Sequence, residues 1–178
     1  YIDNCENCVS GNTELEPCIS YSYNVDLHFG SNLISFYALP DTADIESIMY
    51  DNDNDFIYSI LGENLSSYNS GGNTWQGSLI SFESNNGYWL RTENSTTLNI
   101  QNAWDINDDI QYNLHAGSNL ISFPEDGIYD LSETLPDDLE LYIDAILGES
   151  VIAVKSENND WVGSLTAFEG GRGYWFIV

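Results

Sequence analysis

Leu27-His28-Phe29-Gly30-Ser31-Asn32-Leu33-Ile34-Ser35-Phe36 is a stretch that the chain contains twice, the second time as Leu114-His115-Ala116-Gly117-Ser118-Asn119-Leu120-Ile121-Ser122-Phe123. The first glycines of the two copies lie 117 − 30 = 87 residues apart. Self-similarity at a fixed spacing is the signature of a repeated structural unit. The stretch therefore predicts two copies of one module.

Three further blocks return in the same order in the second half of the chain. They are Ile60-Leu61-Gly62-Glu63 with Ile146-Leu147-Gly148-Glu149, Trp75-Gln76-Gly77-Ser78-Leu79 with Trp161-Val162-Gly163-Ser164-Leu165, and Gly87-Tyr88-Trp89 with Gly173-Tyr174-Trp175. The first tryptophans lie 161 − 75 = 86 residues apart. Glycine, aromatic and aliphatic residues dominate these blocks, and such residues more often shape a core than carry a reaction.

Hydrophobic patterning predicts that both modules are built from strands. Residues 21–27 alternate between apolar and polar, which is the period of two of a half-buried strand. Gly30-Ser31-Asn32 predicts a turn that joins this strand to a second one at 33–39 in a hairpin, and the Asn86-Gly87 step predicts another hairpin. Short helices are predicted at 45–49, 131–135 and 138–147. The fold class is all-β: two tandem, similar β-sandwich or barrel-like modules related by internal duplication.

The predicted domain boundaries follow from the repeat. Residues 1–19 form a Cys/Asp/Asn-rich linker, residues 20–101 form the first module, and residues 102–178 form the second. After Gly173-Tyr174-Trp175 the second module has no counterpart of the strand predicted at 97–100. Either the chain was cut, or the module lacks its last strand and presents a free edge, whose unpaired backbone groups would recruit a strand from another chain.

Charge excludes two classes of partner. Three Lys and Arg stand against 29 Asp and Glu in 178 residues, giving a formal net charge of −26. Nucleic acid and anionic membrane surfaces need clustered cations, which this chain does not have. No run of 18 apolar residues is present that would insert into a bilayer. Charge repulsion on this scale favours a salty medium with divalent cations, so Ca²⁺ is the predicted cofactor.

Two acidic loops are candidate Ca²⁺ sites, one at Asp51, Asp53 and Asp55 and one at Asp105, Asp108 and Asp109. Carboxylates at alternate positions resemble a Ca²⁺ loop, but counting from Asp51 an EF-hand needs glycine at Phe56 and glutamate at Gly62. The loops are therefore not EF-hands. The alternative is that they are merely solvated acidic loops.

The three cysteines all lie in the linker, at Cys5, Cys8 and Cys18. A zinc site wants four ligands, and no histidine lies near these three. We expect one disulfide, between Cys18 and either Cys5 or Cys8, with the remaining thiol paired to a partner elsewhere. Disulfide formation predicts an extracellular or cell-surface location.

Four tryptophans at matched positions allow two interpretations. Trp75, Trp89, Trp161 and Trp175 could form a flat platform for sugars, but matched aromatic residues in two modules are more often core. Strand alternation places adjacent residues such as Tyr88 and Trp89 on opposite faces.

Catalysis has little support in the sequence. No Gly-x-Ser-x-Gly, phosphate-binding loop or His-Glu-x-x-His motif is present. A packing or hydrogen-bonding role suits His28 and His115 better than metal ligation. Glu63 and Glu149 are repeat copies far apart in the sequence, so they are not expected to form the close carboxylate pair that glycoside cleavage needs. We predict that the chain is not an enzyme.

The ordered blocks resemble a module of secreted and cell-surface proteins of bacteria and archaea that starts with Gly-Trp-Asn-Leu-Ile-Ser and ends with Gly-Tyr-Trp. The resemblance implies an all-β accessory unit, in tandem, next to enzymes, adhesin repeats or surface-layer segments, and it brings no catalytic residues. Ser31 and Ser118 stand where that family has tryptophan, which removes one ring per module. Residues 1–19 are similar to the Asp/Asn/Cys-rich connecting repeats of multidomain proteins secreted by marine bacteria, which are often calcium-loaded.

The sequence thus predicts a non-catalytic, extracellular structural or adhesive module. We expect it to associate through strand edges, with Ca²⁺ assisting, with other copies of itself or with neighbouring surface proteins, and to build a surface array or filament. The alternative is a carbohydrate-binding accessory module of a secreted hydrolase.

Overall fold

The computed structural model describes residues 20–51, 56–105 and 110–178. The described chain is mostly strand with three short helices, so the all-β class is confirmed. The strands are β1 Tyr21–Leu27, β2 Gly30–Ile34, β3 Ala38–Leu39, β4 Ile57–Leu61, β5 Ser66–Asn69, β6 Trp75–Gly77, β7 Tyr88–Thr92, β8 Thr96–Asp105, β9 Ser118–Ser122, β10 Ile128–Asp130, β11 Ala145–Gly148, β12 Val151–Lys155, β13 Trp161–Gly163, β14 Ala167–Glu169 and β15 Gly173–Ile177. The helices are α1 Ile45–Asp51, α2 Leu131–Thr134 and α3 Asp137–Glu140.

Two five-stranded antiparallel sheets dominate the structure. The first has the order β2-β7-β4-β5-β6, and the second has the order β9-β15-β11-β12-β13. Each strand of the second sheet corresponds, through the repeated blocks, to the strand at the same place in the first. The duplication itself stays a prediction from the sequence, as do the module boundaries.

The hairpin predicted between β1 and β2 is wrong. β1 pairs with β8 in a separate three-stranded sheet of order β1-β8-β3, whereas β2 pairs with β7. Gly30, placed in a turn by the sequence, begins β2 and adopts a φ of 103°. The chain changes sheet at this point, and a two-residue break between two strands cannot reveal that from sequence alone.

The predicted hairpin at Asn86-Gly87 is also wrong, because β7 pairs with β2 and β4 and not with β6. The helix predicted at 45–49 is confirmed by α1 and that at 131–135 by α2. The helix predicted at 138–147 is wrong over most of its length, since α3 ends at Glu140 and Ala145 begins β11. Ile146 is fully buried in that strand, so burial in the sheet overrode the helical spacing.

We call residues 20–105 the first half and residues 110–178 the second half. The last strand of the second half, β15, is not a free edge. β15 lies between β11 and β9 and pairs with both. Its counterpart β7 does not pair with β8, because β8 belongs to the sheet of β1 and β3. A missing counterpart of β8 therefore does not expose β15.

Each half has its own cluster of buried residues. In the first half Phe82 packs edge-to-face on Tyr88, with ring centroids 5.0 Å apart, and in the second half Phe168 packs edge-to-face on Tyr174 at 5.0 Å. Burial raises the pKa of Tyr88 to about 12. The hydroxyl of each tyrosine accepts a backbone N–H, that of Glu83 at 2.7 Å for Tyr88 and that of Glu169 at 2.8 Å for Tyr174.

Within residues 20–51, 56–105 and 110–178, no helix combines the length and the apolar character that crossing a bilayer requires. The longest of the three helices, α1, has seven residues.

Candidate interaction surface and the junction between the halves

The edge strands β2 and β9 are each covered by a turn from the other half of the chain. An isolated antiparallel bridge joins Ile34 to Arg172, and a second joins Ile121 to Asn86. Two backbone hydrogen bonds extend these contacts, from Ser35 N–H to the Gly171 carbonyl at 3.0 Å and from Ser122 N–H to the Asn85 carbonyl at 3.3 Å. The two halves thus protect one another's sheet edges, which would otherwise be open to pairing.

Glycine is required where the halves approach most closely. A Cβ on Gly173 would lie 2.7 Å from the Ile34 carbonyl oxygen and 3.3 Å from the Cα of Gly87. A Cβ on Gly87 would lie 2.8 Å from the Ile121 carbonyl oxygen. The glycine of each Gly-Tyr-Trp block therefore allows close contact between the halves, which the repeat alone did not reveal.

The first of two His–Glu pairs crosses this junction between His28 and Glu149. His28 Nε2 bonds to Glu149 Oε1, and the second carboxylate oxygen accepts the backbone N–H of Leu33 at 2.8 Å. His28 Nδ1 bonds to the Phe29 carbonyl at 2.8 Å. One carboxylate from the second half therefore holds both the histidine and the edge of β2.

The second pair repeats the arrangement in the opposite direction. His115 Nε2 bonds to Glu63 Oε1 at 2.6 Å, and Glu63 Oε2 accepts the backbone N–H of Leu120 at 2.8 Å. His115 Nδ1 bonds to the Ala116 carbonyl at 3.0 Å. The first half thus holds the edge of β9 in the same way as the second half holds that of β2.

These contacts favour the charged form of both histidines. A carbonyl and a carboxylate only accept hydrogen bonds, so both ring nitrogens must donate, and only imidazolium can do that. Hydrogen bonding to Glu149, and then to the Phe29 carbonyl, raises the pKa of His28. The Ala116 carbonyl, and then Glu63, raises the pKa of His115.

A buried asparagine supports each histidine. Asn32 Oδ1 accepts the backbone N–H of His28 at 2.8 Å, and Asn32 Nδ2 donates to the His28 carbonyl at 2.9 Å. Asn119 makes the same two bonds with His115, at 2.8 and 2.9 Å. The asparagine in each Gly-Ser-Asn-Leu-Ile-Ser block therefore fixes the backbone that carries the histidine.

Both His–Glu pairs lie beside open clefts, of about 490 Å³ at His28 and about 270 Å³ at His115. A general base needs a ring nitrogen that can accept a proton. His28 and His115 are the two histidines of the chain, and in this structure all four of their ring nitrogens are hydrogen-bonded to protein. The predicted hydrogen-bonding role of the histidines is confirmed.

The sequence interpretation missed the cross-pairing of these residues. The sequence did hold a sign of these pairs: both copies of the repeat keep the histidine, as His28 and His115, and the glutamate, as Glu63 and Glu149. The sequence did not show that the histidine of one half bonds to the glutamate of the other half. Only the packing of the two sheets decides that.

The outer face of the second sheet is apolar. Cross-strand pairing places Val162 beside Val154, and Ile152 beside Leu147, which in turn pairs with Trp175. Directly opposed residues in an antiparallel ladder point to the same side of the sheet. The strand residues on this side that are not buried are Ser118, Ala145, Leu147, Ile152, Val154, Val162, Trp175 and Ile177, while Leu120 and Ser122 lie on the same side but are buried. None of these eight side chains is charged, and Val162 is 48% exposed. We call this set the second outer face.

The matching face of the first sheet is more polar, although Leu61 and Trp89 lie on it. At the positions that correspond to Val162, Val154, Ile152 and Ile177, the first sheet carries Gln76, Tyr68, Ser66 and Arg91. The Tyr68 hydroxyl donates to Gln76 Oε1 at 3.0 Å. The same strand arrangement therefore tolerates polar residues on this side, and the apolar character of the second outer face is not a requirement of the fold.

The structure separates the four tryptophans of the proposed sugar platform. Trp75 is 9% exposed and belongs to the first core cluster. Trp161 lies partly buried under Lys155, whose Nζ is 4.3 Å from the ring centroid. Trp89 and Trp175 are partly exposed on the outer faces of two different sheets. As expected from strand alternation, their neighbours Tyr88 and Tyr174 point inward.

Trp161 is held by an ion pair at the end of the second sheet. Glu140 Oε1 accepts its indole N–H at 3.0 Å, and Glu140 Oε2 binds Lys155 Nζ at 2.7 Å. The side chains of Lys155 and Glu140 are only 13% and 20% exposed. Hydrogen bonding to Lys155 lowers the pKa of Glu140.

The predicted Ca²⁺ and disulfide residues fall mostly outside the described residues. This is true of Asp53, Asp55, Asp108, Asp109, Cys5, Cys8 and Cys18, and the side chains of Asp51 and Asp105 are likewise not described. In the part of the chain that the structure does describe, no three His, Cys, Asp or Glu side chains gather as metal ligands. Ca²⁺ binding and the disulfide therefore stay predictions.

Comparison with known proteins gave no match to any protein-family model, curated protein or solved structure.

Proposed function

We propose that the chain is a non-catalytic, extracellular structural or adhesive module that associates with further copies of itself through the second outer face. The observation that carries the proposal is the absence of charge from this face in a chain of net charge −26. Five strands spaced about 4.8 Å apart present a face roughly 20 Å wide. That width suits the face-to-face stacking of two sheets.

A second copy is the occupant that we propose for this face. Two bodies this acidic repel each other wherever their carboxylates meet, and an uncharged patch on both is the place where they can touch at the smallest electrostatic cost. Stacking the same face on itself gives a closed two-fold contact. The resulting interface is small, so we expect weak association that high salt strengthens by screening the remaining repulsion.

Association through the edges of the two five-stranded sheets has less support. β2 and β9 are each covered by the other half. The opposite edges, β6 and β13, are three residues long, and each ends at a glycine with positive φ, Gly77 or Gly163. Short, bent edges are the kind that resist pairing with another chain.

Replacing apolar residues of the second outer face by their first-sheet counterparts tests the proposal. We expect Ile152→Ser/Val162→Gln/Ile177→Arg to weaken self-association more than about tenfold, since 1.4 kcal/mol is enough for a tenfold change. The first sheet already carries these residues at matched positions, so the fold should persist. Sedimentation velocity over a concentration series, at low and high salt, measures the effect.

A charge on the polar face serves as the control. Tyr68 lies at the position that matches Val154, and we expect Tyr68→Arg to leave self-association unchanged. A wild-type chain that stays monomeric at high concentration and high salt would refute self-association through this face. So would a triple variant that associates as the wild type does.

Ca²⁺ assistance and the extracellular setting complete the proposal. The acidic loops at 51–55 and 105–109 and the cysteines at 5, 8 and 18 support them, as does the resemblance to modules of secreted proteins. Divalent cations would reduce repulsion between copies. Sedimentation with and without Ca²⁺ tests this part: if Ca²⁺ assists, association rises beyond the effect of Na⁺ at equal ionic strength.

A carbohydrate-binding accessory module is the second candidate. It is favoured by Trp175, which is partly exposed beside Leu147 on the second outer face and could stack on a sugar ring. A glycan array separates the two functions. Binding that is lost in Trp175→Ala would support the sugar-binding alternative, whereas self-association with no glycan signal would support the structural one.

A further inference from the structure

We infer that the two His–Glu pairs form a pH-operated latch, which holds the two halves together while the histidines are protonated and loosens when they lose their protons. The inference is independent of self-association. It stands on the reciprocal geometry, in which each half supplies one histidine and one glutamate to the same junction.

The latch is more than a pair of surface contacts. Glu149 also accepts the N–H of Leu33, and Glu63 that of Leu120, at 2.8 Å in both cases. Leu33 and Leu120 are buried, although both lie on edge strands. A shift of either carboxylate therefore affects a buried backbone donor of the opposite half as well as the histidine.

Loss of a proton removes one of the two ring bonds of each histidine. The neutral ring can keep Nε2–H on the glutamate, but Nδ1 then turns a lone pair toward the Phe29 or Ala116 carbonyl, which also carries only lone pairs. If the proton stays on Nδ1 instead, the lone pair of Nε2 meets the carboxylate. The first tautomer keeps the bond to the glutamate and loses the one to the carbonyl, and the second loses the bond to the glutamate.

The charged and titratable groups around each histidine come from several elements. Glu149 faces His28 from the turn between β11 and β12, and Arg172 acts on it from the turn before β15, with Glu169 lining the same cleft. Arg172 opposes the protonation of His28.

Around His115, Glu63 from the turn between β4 and β5 is the charged group, and Tyr112 lines the cleft. Both histidines thus face a glutamate of the other half, but only His28 also faces a cation.

The direction of the pH dependence follows from these contacts. The pKa of each histidine is raised above its ordinary value of 6.5. A group with a raised pKa in the folded state stabilises the fold fully below its unfolded pKa, and this contribution is lost as the pH rises through the folded pKa. The two His–Glu pairs therefore stabilise the junction fully in mild acid, and this stabilisation is lost as the pH rises through the raised pKa of the histidines.

An NMR titration of the full chain tests the pairing, since its two histidines give two resolvable signals. In Glu149→Gln we expect the pKa of His28 to fall toward 6.5 while that of His115 stays unchanged, and in Glu63→Gln the reverse. Glu83→Gln, which removes a glutamate that contacts neither histidine in this structure, should change neither value. If neither Glu149→Gln nor Glu63→Gln changes the pKa of either histidine, the inference is overturned.

Urea unfolding of wild type and His28→Gln/His115→Gln from about pH 5 to 8 tests the latch itself. Glutamine can still bond to the glutamates but cannot take up a proton. As the pH rises, we expect the urea concentration at the midpoint of unfolding to fall further for the wild type than for the variant. Equal pH dependence of the two proteins would mean that the pairs are surface contacts without a latch function, even if the NMR values move as expected.

Discussion

Gly173→Ala is expected to destabilise the protein by about 3 kcal/mol, because the new methyl group has no room between the two halves. Its Cβ would lie 2.7 Å from the Ile34 carbonyl oxygen and 3.1 Å from Leu33 Cδ1. The nearest atom belongs to the backbone, so relief requires the sheets to move apart and not a side chain to rotate. Equilibrium unfolding in urea measures the loss.

Two further glycine variants show whether the junction is responsible. Gly87→Ala should be similarly destabilising, since its Cβ would lie 2.8 Å from the Ile121 carbonyl oxygen. The double variant should cost less than the sum of the two, because neighbouring substitutions share one relaxation.

Gly62→Ala is the matched control, because its nearest neighbour would be 3.5 Å away, and it should change stability by less than about 0.5 kcal/mol. If Gly173→Ala were as mild as Gly62→Ala, the halves would not meet at this point.

Short-range features of the fold were predictable from the sequence. The alternation in 21–27 indicated β1, and the spacing of Ile45, Ile48 and Met49 indicated α1, because each pattern involves residues that are close in sequence. The partner of β1 was not predictable in this way. Tyr23 pairs with Ile100, and nothing in the intervening residues distinguishes that pairing from a local hairpin with β2.

The candidate surfaces divide in the same way. Strand alternation correctly indicated that Tyr88 and Trp89 face opposite sides of a strand, since that depends only on the period of two. The repeat did not add to this. It did not indicate that Gly87 contacts the other half, or that His28 bonds to Glu149 and not to the glutamate of its own half. Those contacts depend on how one sheet is placed against the other, for which the repeat carries no information.

The apolar second outer face shows a different limit. Residues 151–154 form an uninterrupted apolar run, the pattern of a strand buried on both faces, so the sequence alone would place Ile152 and Val154 inside. The register with Val162 and Leu147 puts both on the outside, while Ala153 between them is buried. Only comparison with the polar residues of the first sheet identifies the face as a departure from what the fold needs.

Glu140→Ala is expected to destabilise the protein by about 2 kcal/mol, because it leaves two largely buried donors without their carboxylate. Trp161 Nε1 loses its bond at 3.0 Å, and Lys155 Nζ loses its ion pair at 2.7 Å. Lys155 would keep its bond to the Asn159 carbonyl at 3.1 Å and its contact with the Trp161 ring, which limits the loss. Urea unfolding at neutral pH measures the difference.

The pH dependence of this pair runs opposite to that of the histidine latch. Hydrogen bonding to Lys155 lowers the pKa of Glu140 below 4.5, so its contribution is present above 4.5 and is lost as the pH falls through the folded pKa. The gap between wild type and Glu140→Ala should therefore close in acid, where the latch is fully engaged. Glu140→Gln keeps an acceptor but no charge, so we expect a smaller deficit, which also closes in acid because the wild-type carboxylate loses its charge there. A gap of constant size for Glu140→Ala would mean that the carboxylate acts through packing and not through its charge.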